Sequence, residues 1–73
     1  MDNRQAGEKT IAVTSRELEI LRLLAKGYSS TKIAGEMGLR PETIVWYRKG
    51  LHIKFDVHST AELLVKAIEK DIL

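Results

Sequence analysis

Pro41-Glu42-Thr43-Ile44-Val45-Trp46-Tyr47-Arg48-Lys49-Gly50-Leu51-His52-Ile53-Lys54-Phe55 decides how this chain folds. Pro41 suits the first position of a helix, where its missing N–H costs nothing, and Glu42 in the first turn favours the positive end of the helix dipole. Ile44, Tyr47, Leu51 and Phe55 stand at i, i+3, i+7 and i+11, one apolar stripe that faces a core. Val45, Trp46, Lys49 and Ile53 fall on the other side. At 1.5 Å per residue a helix over 41–55 is about 22 Å long. Asp56 follows, able to take the left-handed conformation that glycine more often fills.

Upstream, Ser29 or Ser30 can cap a short helix over about 30–37, with Ile33, Ala34 and Met37 inward and Gly38 as its stop. Before it, Thr14-Ser15-Arg16-Glu17 has the spacing of a capping box, and Val13 and Leu18 have that of a hydrophobic staple. Leu18, Leu21 and Leu24-Ala25 recur at helical spacing, widened by Ile20 and Leu23, up to a left-handed stop at Gly27. This places a helix over about 15–26. Thr10 to Val13 form a short apolar lead-in suited to docking on the core, and residues 1–10 read as a flexible polar arm ahead of a domain over 11–73. Downstream, Ser59-Thr60-Ala61-Glu62 has the capping-box spacing again and opens a helix over about 60–70. Ala61, Leu64, Val65 and Ile68 share one face of it, with Leu63 and Ala67 off that face. No stretch alternates with period two. The expectation is an all-α domain of four helices, the second and third joined by only a few residues.

At 73 residues the chain has room for one domain with a thin core. It contains no cysteine, which rules out disulfides and thiolate metal sites. No apolar run reaches the roughly 20 residues a membrane span needs, and the first residues lack the apolar stretch of a secretory signal; a cytoplasmic protein is expected. The net charge is only +2, but from Ser29 to Phe55 there are five bases (Lys32, Arg40, Arg48, Lys49, Lys54) against two acids (Glu36, Glu42). His52 and His58 are six apart, which is not a helical metal spacing, and the serines read as caps because no histidine and acid stand in a recognisable arrangement with them. Neither an enzyme, nor a metal, nor a cofactor is expected.

A short helix, a glycine-containing turn and a longer helix form a helix-turn-helix unit, whose second helix enters the major groove of DNA. Lys49 is the leading candidate for a base or phosphate contact. Trp46, turned outward if Tyr47 is inward, is suited to a thymine methyl, a sugar or a partner domain, and Val45 to a thymine methyl. Arg40 and Lys32 are candidate phosphate contacts; Thr43 is a candidate DNA contact or a residue that simply fills the helix start. Arg48, beside the inner stripe, can reach a phosphate or an acid within the domain. Tyr47 belongs to the core.

The run from Val13 to Gly27, followed by Ser29-Ser30-Thr31-Lys32-Ile33-Ala34, Met37-Gly38-Leu39, Glu42-Thr43-Ile44 and Ser59-Thr60-Ala61-Glu62-Leu63, resembles the LuxR-type helix-turn-helix domain over about residues 13–68. That resemblance implies the DNA-binding domain of a transcription regulator. It puts Val45, Trp46 and Lys49 at the major groove and Ser30 and Thr31 against the DNA backbone. It makes Leu63, Val65, Lys66 and Lys70 of the last helix candidates for a homodimer contact on a double-stranded DNA site, with RNA polymerase a further candidate partner. It also implies a receiver or ligand-binding domain elsewhere. The chain departs from the family's pattern where Arg40 replaces a capping residue, Val45 a polar one, Asp56 a glycine and His52 a buried aliphatic, and Val45 and Gly50 remove side chains that could touch DNA. Two other readings are a protein-interaction module that keeps the fold, favoured by Val45, Gly50 and the modest charge, and a sigma-factor region four.

Overall fold

The computed structural model describes residues 10–73, in which four helices follow one another: α1 (Ser15–Ala25), α2 (Ser30–Met37), α3 (Pro41–Phe55) and α4 (Thr60–Glu69). The described residues contain no strand. The arm expected over residues 1–10 lies, apart from the exposed Thr10, outside the described residues.

The helices begin where their caps place them. Thr14 Oγ1 accepts from the Glu17 N–H at 3.1 Å, and the Glu17 carboxylate accepts from the Thr14 N–H at 3.0 Å, a complete capping box. Ser29, not Ser30, caps α2, accepting from the Lys32 N–H at 3.1 Å. Pro41 opens α3 after Arg40, which makes no side-chain cap. At α4 only half of the expected box forms. Ser59 Oγ accepts from the Glu62 N–H at 3.1 Å, but the Glu62 carboxylate accepts from the N–H of His58 at 2.8 Å, one residue further out than the box requires.

All four helices end by one device. One or two residues beyond each helix stands a left-handed residue: Gly27, Gly38, Asp56 and Asp71, with φ of 87°, 68°, 57° and 60°. The next N–H folds back to a carbonyl five residues earlier: Tyr28 to Leu23 at 3.2 Å, Leu39 to Ala34 at 2.9 Å, Val57 to His52 at 3.0 Å and Ile72 to Ala67 at 2.8 Å. Tyr28, Leu39, Val57 and Ile72 then pack against the core. This satisfies carbonyls that helix ends otherwise leave without partners, and it turns an apolar side chain inward at each stop.

The core comprises Ile20, Leu21 and Leu24 of α1, Ile33 and Ala34 of α2, Ile44, Leu51 and Phe55 of α3, and Leu63 and Ala67 of α4, with no buried polar residue among those described. Two inner faces differ from expectation. In α1 the stripe centres on Ile20, Leu21 and Leu24, leaving Leu18 half-buried and Ala25 exposed. In α4 the expected face is reversed: Leu63 and Ala67 are fully buried, while Ala61, Val65 and Ile68 are exposed and Leu64 is half-buried. Leu63 and Ala67, one turn apart, present a narrow ridge where α4 crosses both α1 and α3. The lead-in docks as expected: Ile11 and Val13 pack on the core. Lys54 of α3 donates to the Ala12 carbonyl at 3.0 Å and pairs with Glu17 of α1 at 2.7 Å. Partial burial pushes the Glu17 carboxyl up, but hydrogen bonds from Lys54 and from the Thr14 backbone outweigh it and hold the group below its ordinary value.

Candidate nucleic-acid interface

α2 and α3 share a more extensive contact than any other pair of helices. With Ile44, Leu51 and Phe55 sealed in the core and Tyr47 half-buried beside them, the opposite side of α3 is turned outward. Glu42, Trp46, Lys49 and Ile53, at i, i+4, i+7 and i+11, form an exposed ridge along it. Trp46 is 68% exposed and Ile53 80%, and Val45, on the flank, is 43% exposed. Large apolar side chains grouped on a surface mark an interaction site more often than chance exposure. Gly50 borders the ridge one turn after Trp46 and adds no side chain to it.

The remaining residues expected at the site fall into two groups. Arg40, Thr31, Lys32 and Lys49 are exposed, Arg40 at the very start of α3 and Thr31 and Lys32 in the first turn of α2. The Lys32 ammonium stands 4.4 Å from the centroid of the Tyr28 ring, so its stem is directed along that ring. Thr43 is half-buried.

Arg48 and Ser30 form the second group, and they are occupied with each other. The Arg48 guanidinium donates to Ser30 Oγ at 2.9 Å and to Thr60 Oγ1 at 2.6 Å. It thereby ties the first residues of α2 and α4 to the middle of α3. The sequence offered a phosphate or an internal acid as its partner; two hydroxyls take that place, and Thr60 was not among the residues foreseen. Lys54 is likewise engaged with Glu17 and Ala12. Of the five bases between Ser29 and Phe55, Lys32, Arg40 and Lys49 are left to set the charge of the outer surface.

The residues expected at a dimer contact divide in a similar way. Leu63 is fully buried and cannot reach a partner, because it supplies the core ridge of α4. Lys66 is half-buried, its ammonium donating to the Phe55 carbonyl at 2.9 Å at the end of α3. Val65 and Lys70 are exposed. Ile68, which the sequence reading put on one face of the helix with Val65, is 59% exposed.

His52 is half-buried, and its Nε2 is shielded from solvent without a hydrogen-bond partner. No three His, Cys, Asp or Glu side chains group to hold a metal among the described residues. Among the described residues no helix is long and apolar enough to cross a membrane.

Comparison with known proteins matches residues 12–67 to the family described as bacterial regulatory proteins, luxR family. The oxygen regulatory protein NreC of Staphylococcus haemolyticus is 36% identical over 61 residues, covering 84% of this chain and 28% of NreC. The response regulatory protein YgeK of Escherichia coli K12, itself uncharacterized, is 37% identical over 60 residues, covering 82% of this chain and 41% of YgeK. The NreC of Staphylococcus aureus strain JH9 is 34% identical over 61 residues. The chain thus spans well under half the length of these relatives.

Proposed function

The chain belongs to the luxR family of bacterial regulatory proteins, a family of DNA-binding transcription regulators, and from that premise we propose that it reads specific sequences in duplex DNA by laying α3 in the major groove. One observation carries the reading: the exposed ridge of Trp46, Lys49 and Ile53, flanked by Val45, lies directly opposite the buried Ile44, Leu51 and Phe55. A helix held on its own core by one face has only the other to give to DNA. A helix with its side chains, about 10–12 Å across, fits a groove about 12 Å wide. Residues 45 to 49 span about 6 Å of helix axis, close to two base-pair steps of about 3.4 Å. Lys49 contacts a base edge or phosphate, Arg40 and Lys32 hold phosphates to either side, and Thr31 and Thr43 add hydroxyl contacts at the two helix starts. Arg48 and Ser30 act indirectly, fixing the angle between α2 and α3.

The relatives are named as regulatory and response regulatory proteins, and the matched segment is a minor part of each. On this reading the module is the output domain of a response regulator and works as a homodimer on its site, pairing through Val65, Ile68 and Lys70 of α4 so that its two-fold axis matches a palindromic operator. Contact with RNA polymerase would follow DNA binding.

Selection of bound duplexes from a random pool, followed by titration of the best sequence at rising salt, tests the proposal. Trp46, the only tryptophan, reports binding directly by fluorescence. Affinity should fall linearly on a log–log plot with a slope of about −0.9 per phosphate contact. Lys49→Ala, Arg40→Ala and Lys32→Ala should each reduce the slope by about one where the contact is to phosphate. Absence of binding to any duplex at low salt would overturn it. Apolar exposure on α3 also suits a protein partner; Trp46 emission that responds to such a partner and never to DNA would favour that second reading.

A further inference from the structure

If α3 does enter the major groove, its outer face has an unusual set of tools for telling bases apart. Guanine is commonly read by a bidentate arginine or lysine and adenine by a bidentate asparagine or glutamine. α3 contains neither Asn nor Gln. Its one arginine, Arg48, is turned inward with both terminal nitrogens donating to Ser30 and Thr60. Lys54 is engaged with Glu17 and Ala12. The N-terminal part of the helix reaches base edges in such units, and over residues 41–49 the exposed side chains are Pro41, Glu42, Val45, Trp46 and Lys49. Lys49 can read a guanine edge and Glu42 can accept from a cytosine amine, one at each end of this stretch. The side chains between them are apolar.

Apolar groups cannot read hydrogen-bonding edges, but one feature of the major groove suits them: the C5 methyl of thymine. We infer that Val45 and Trp46 make this module a reader of 5-methylpyrimidines, choosing its site by methyl groups at one or two adjacent steps, with Lys49 contributing charge. The inference rests on the groove placement proposed above and specifies its chemistry. Val45 and Trp46 are neighbours, about 100° apart around the helix and 1.5 Å apart along it, so they address methyls on different sides of the helix. Gly50, one turn beyond Trp46, presents no side chain to this face, and the space around it is open. The same C5 methyl occurs on 5-methylcytosine, so the face should respond to a methylated cytosine as it does to thymine.

The test starts from a duplex selected from a random pool. Each thymine is replaced in turn by deoxyuridine, which deletes the methyl and leaves every hydrogen-bonding edge intact. At one or two positions near the centre of each half-site, binding should weaken about fourfold, the worth of one buried methyl-sized group. At those positions a G·C pair should be improved by 5-methylation of its cytosine. Val45→Ala and Trp46→Ala remove exposed side chains from a helix interior where alanine is favoured, so both should stay folded. At each sensitive position the thymine-to-uridine ratio should fall to about one in one of them. Binding of the selected duplex with no response to uridine at any position would overturn the inference while leaving the proposed function standing. A methyl response that persists undiminished in the Val45→Ala/Trp46→Ala double variant would overturn it too. Failure to bind any duplex would remove both.

Discussion

Gly50 stands in the middle of α3 with an ordinary right-handed backbone, since the positive-φ glycines among the described residues are Gly27 and Gly38. Glycine inside a helix is destabilising because it loses the most backbone freedom on folding. Any compensation would have to come from crowding that only glycine tolerates, and there is none: a Cβ at Gly50 meets no atom within 4 Å. Gly50→Ala should therefore stabilise the domain by close to the full difference in helix propensity, about 0.8–1 kcal/mol. For a domain of this size that corresponds to a melting temperature raised by roughly 4–8 °C. Thermal unfolding followed by far-ultraviolet circular dichroism gives the shift, and urea unfolding should show a higher midpoint at unchanged slope. Gly50→Glu adds a second readout. Glutamate is nearly as good a helix former, so most of the gain should remain, but its carboxylate would stand beside Trp46 against DNA phosphates. A raised melting temperature together with lost duplex binding would separate the cost of glycine to the fold from its use at the interface. An unchanged or lowered melting temperature for Gly50→Ala would refute the reasoning, and duplex binding unimpaired by Gly50→Glu would put the interface elsewhere.

His52→Leu should raise stability by about 1 kcal/mol in urea, because it removes a shielded ring nitrogen without a hydrogen-bond partner; a loss would show that the imidazole is needed in its slot. Arg48→Met, which keeps the apolar stem and deletes two hydrogen bonds to Ser30 and Thr60, should cost about 1–2 kcal/mol by the same assay, and a neutral result would mean that the clamp is solvated and idle. Glu17 is held below its ordinary value of 4.5, chiefly by Lys54 and the Thr14 backbone working against partial burial. A lowered carboxyl is stabilising while ionised, so its contribution is fully present above the unfolded-state value and is lost as pH falls through the folded one. Acid unfolding below about pH 4.5 should thus be less steep in Glu17→Gln, and an identical profile would dismiss the pair as a source of acid sensitivity. Leu63→Ala should cost about 3 kcal/mol, a large part of the stability of so small a domain. Val65→Ser should change stability by less than about 0.5 kcal/mol yet weaken two-fold association on DNA in sedimentation, and the reverse order of effects would contradict the orientation of α4.

The limits of the helices were legible in the sequence because they are set by interactions within a few residues. Thr14 and Glu17 satisfy each other's backbone, Pro41 fits only a first turn, and Gly27, Gly38 and Asp56 accept the left-handed φ that stops a helix. The orientation of α3 was legible too, since its inner stripe is cleanly separated from Val45, Trp46 and Lys49. α4 was not. Ala61, Leu63, Leu64, Val65, Ala67 and Ile68 leave it apolar over most of its circumference, so periodicity alone does not choose a face; the angle at which it meets α1 and α3 selects Leu63 and Ala67. The partners of Arg48 lie 18 and 12 residues away in the chain, and the shift of Glu62 from the Ser59 N–H to that of His58 depends on how the chain arrives at α4. Local backbone chemistry fixed where each helix starts and stops, whereas burial and long-range hydrogen bonding, which exist only once the helices are packed, decided which side chains remained at the surface.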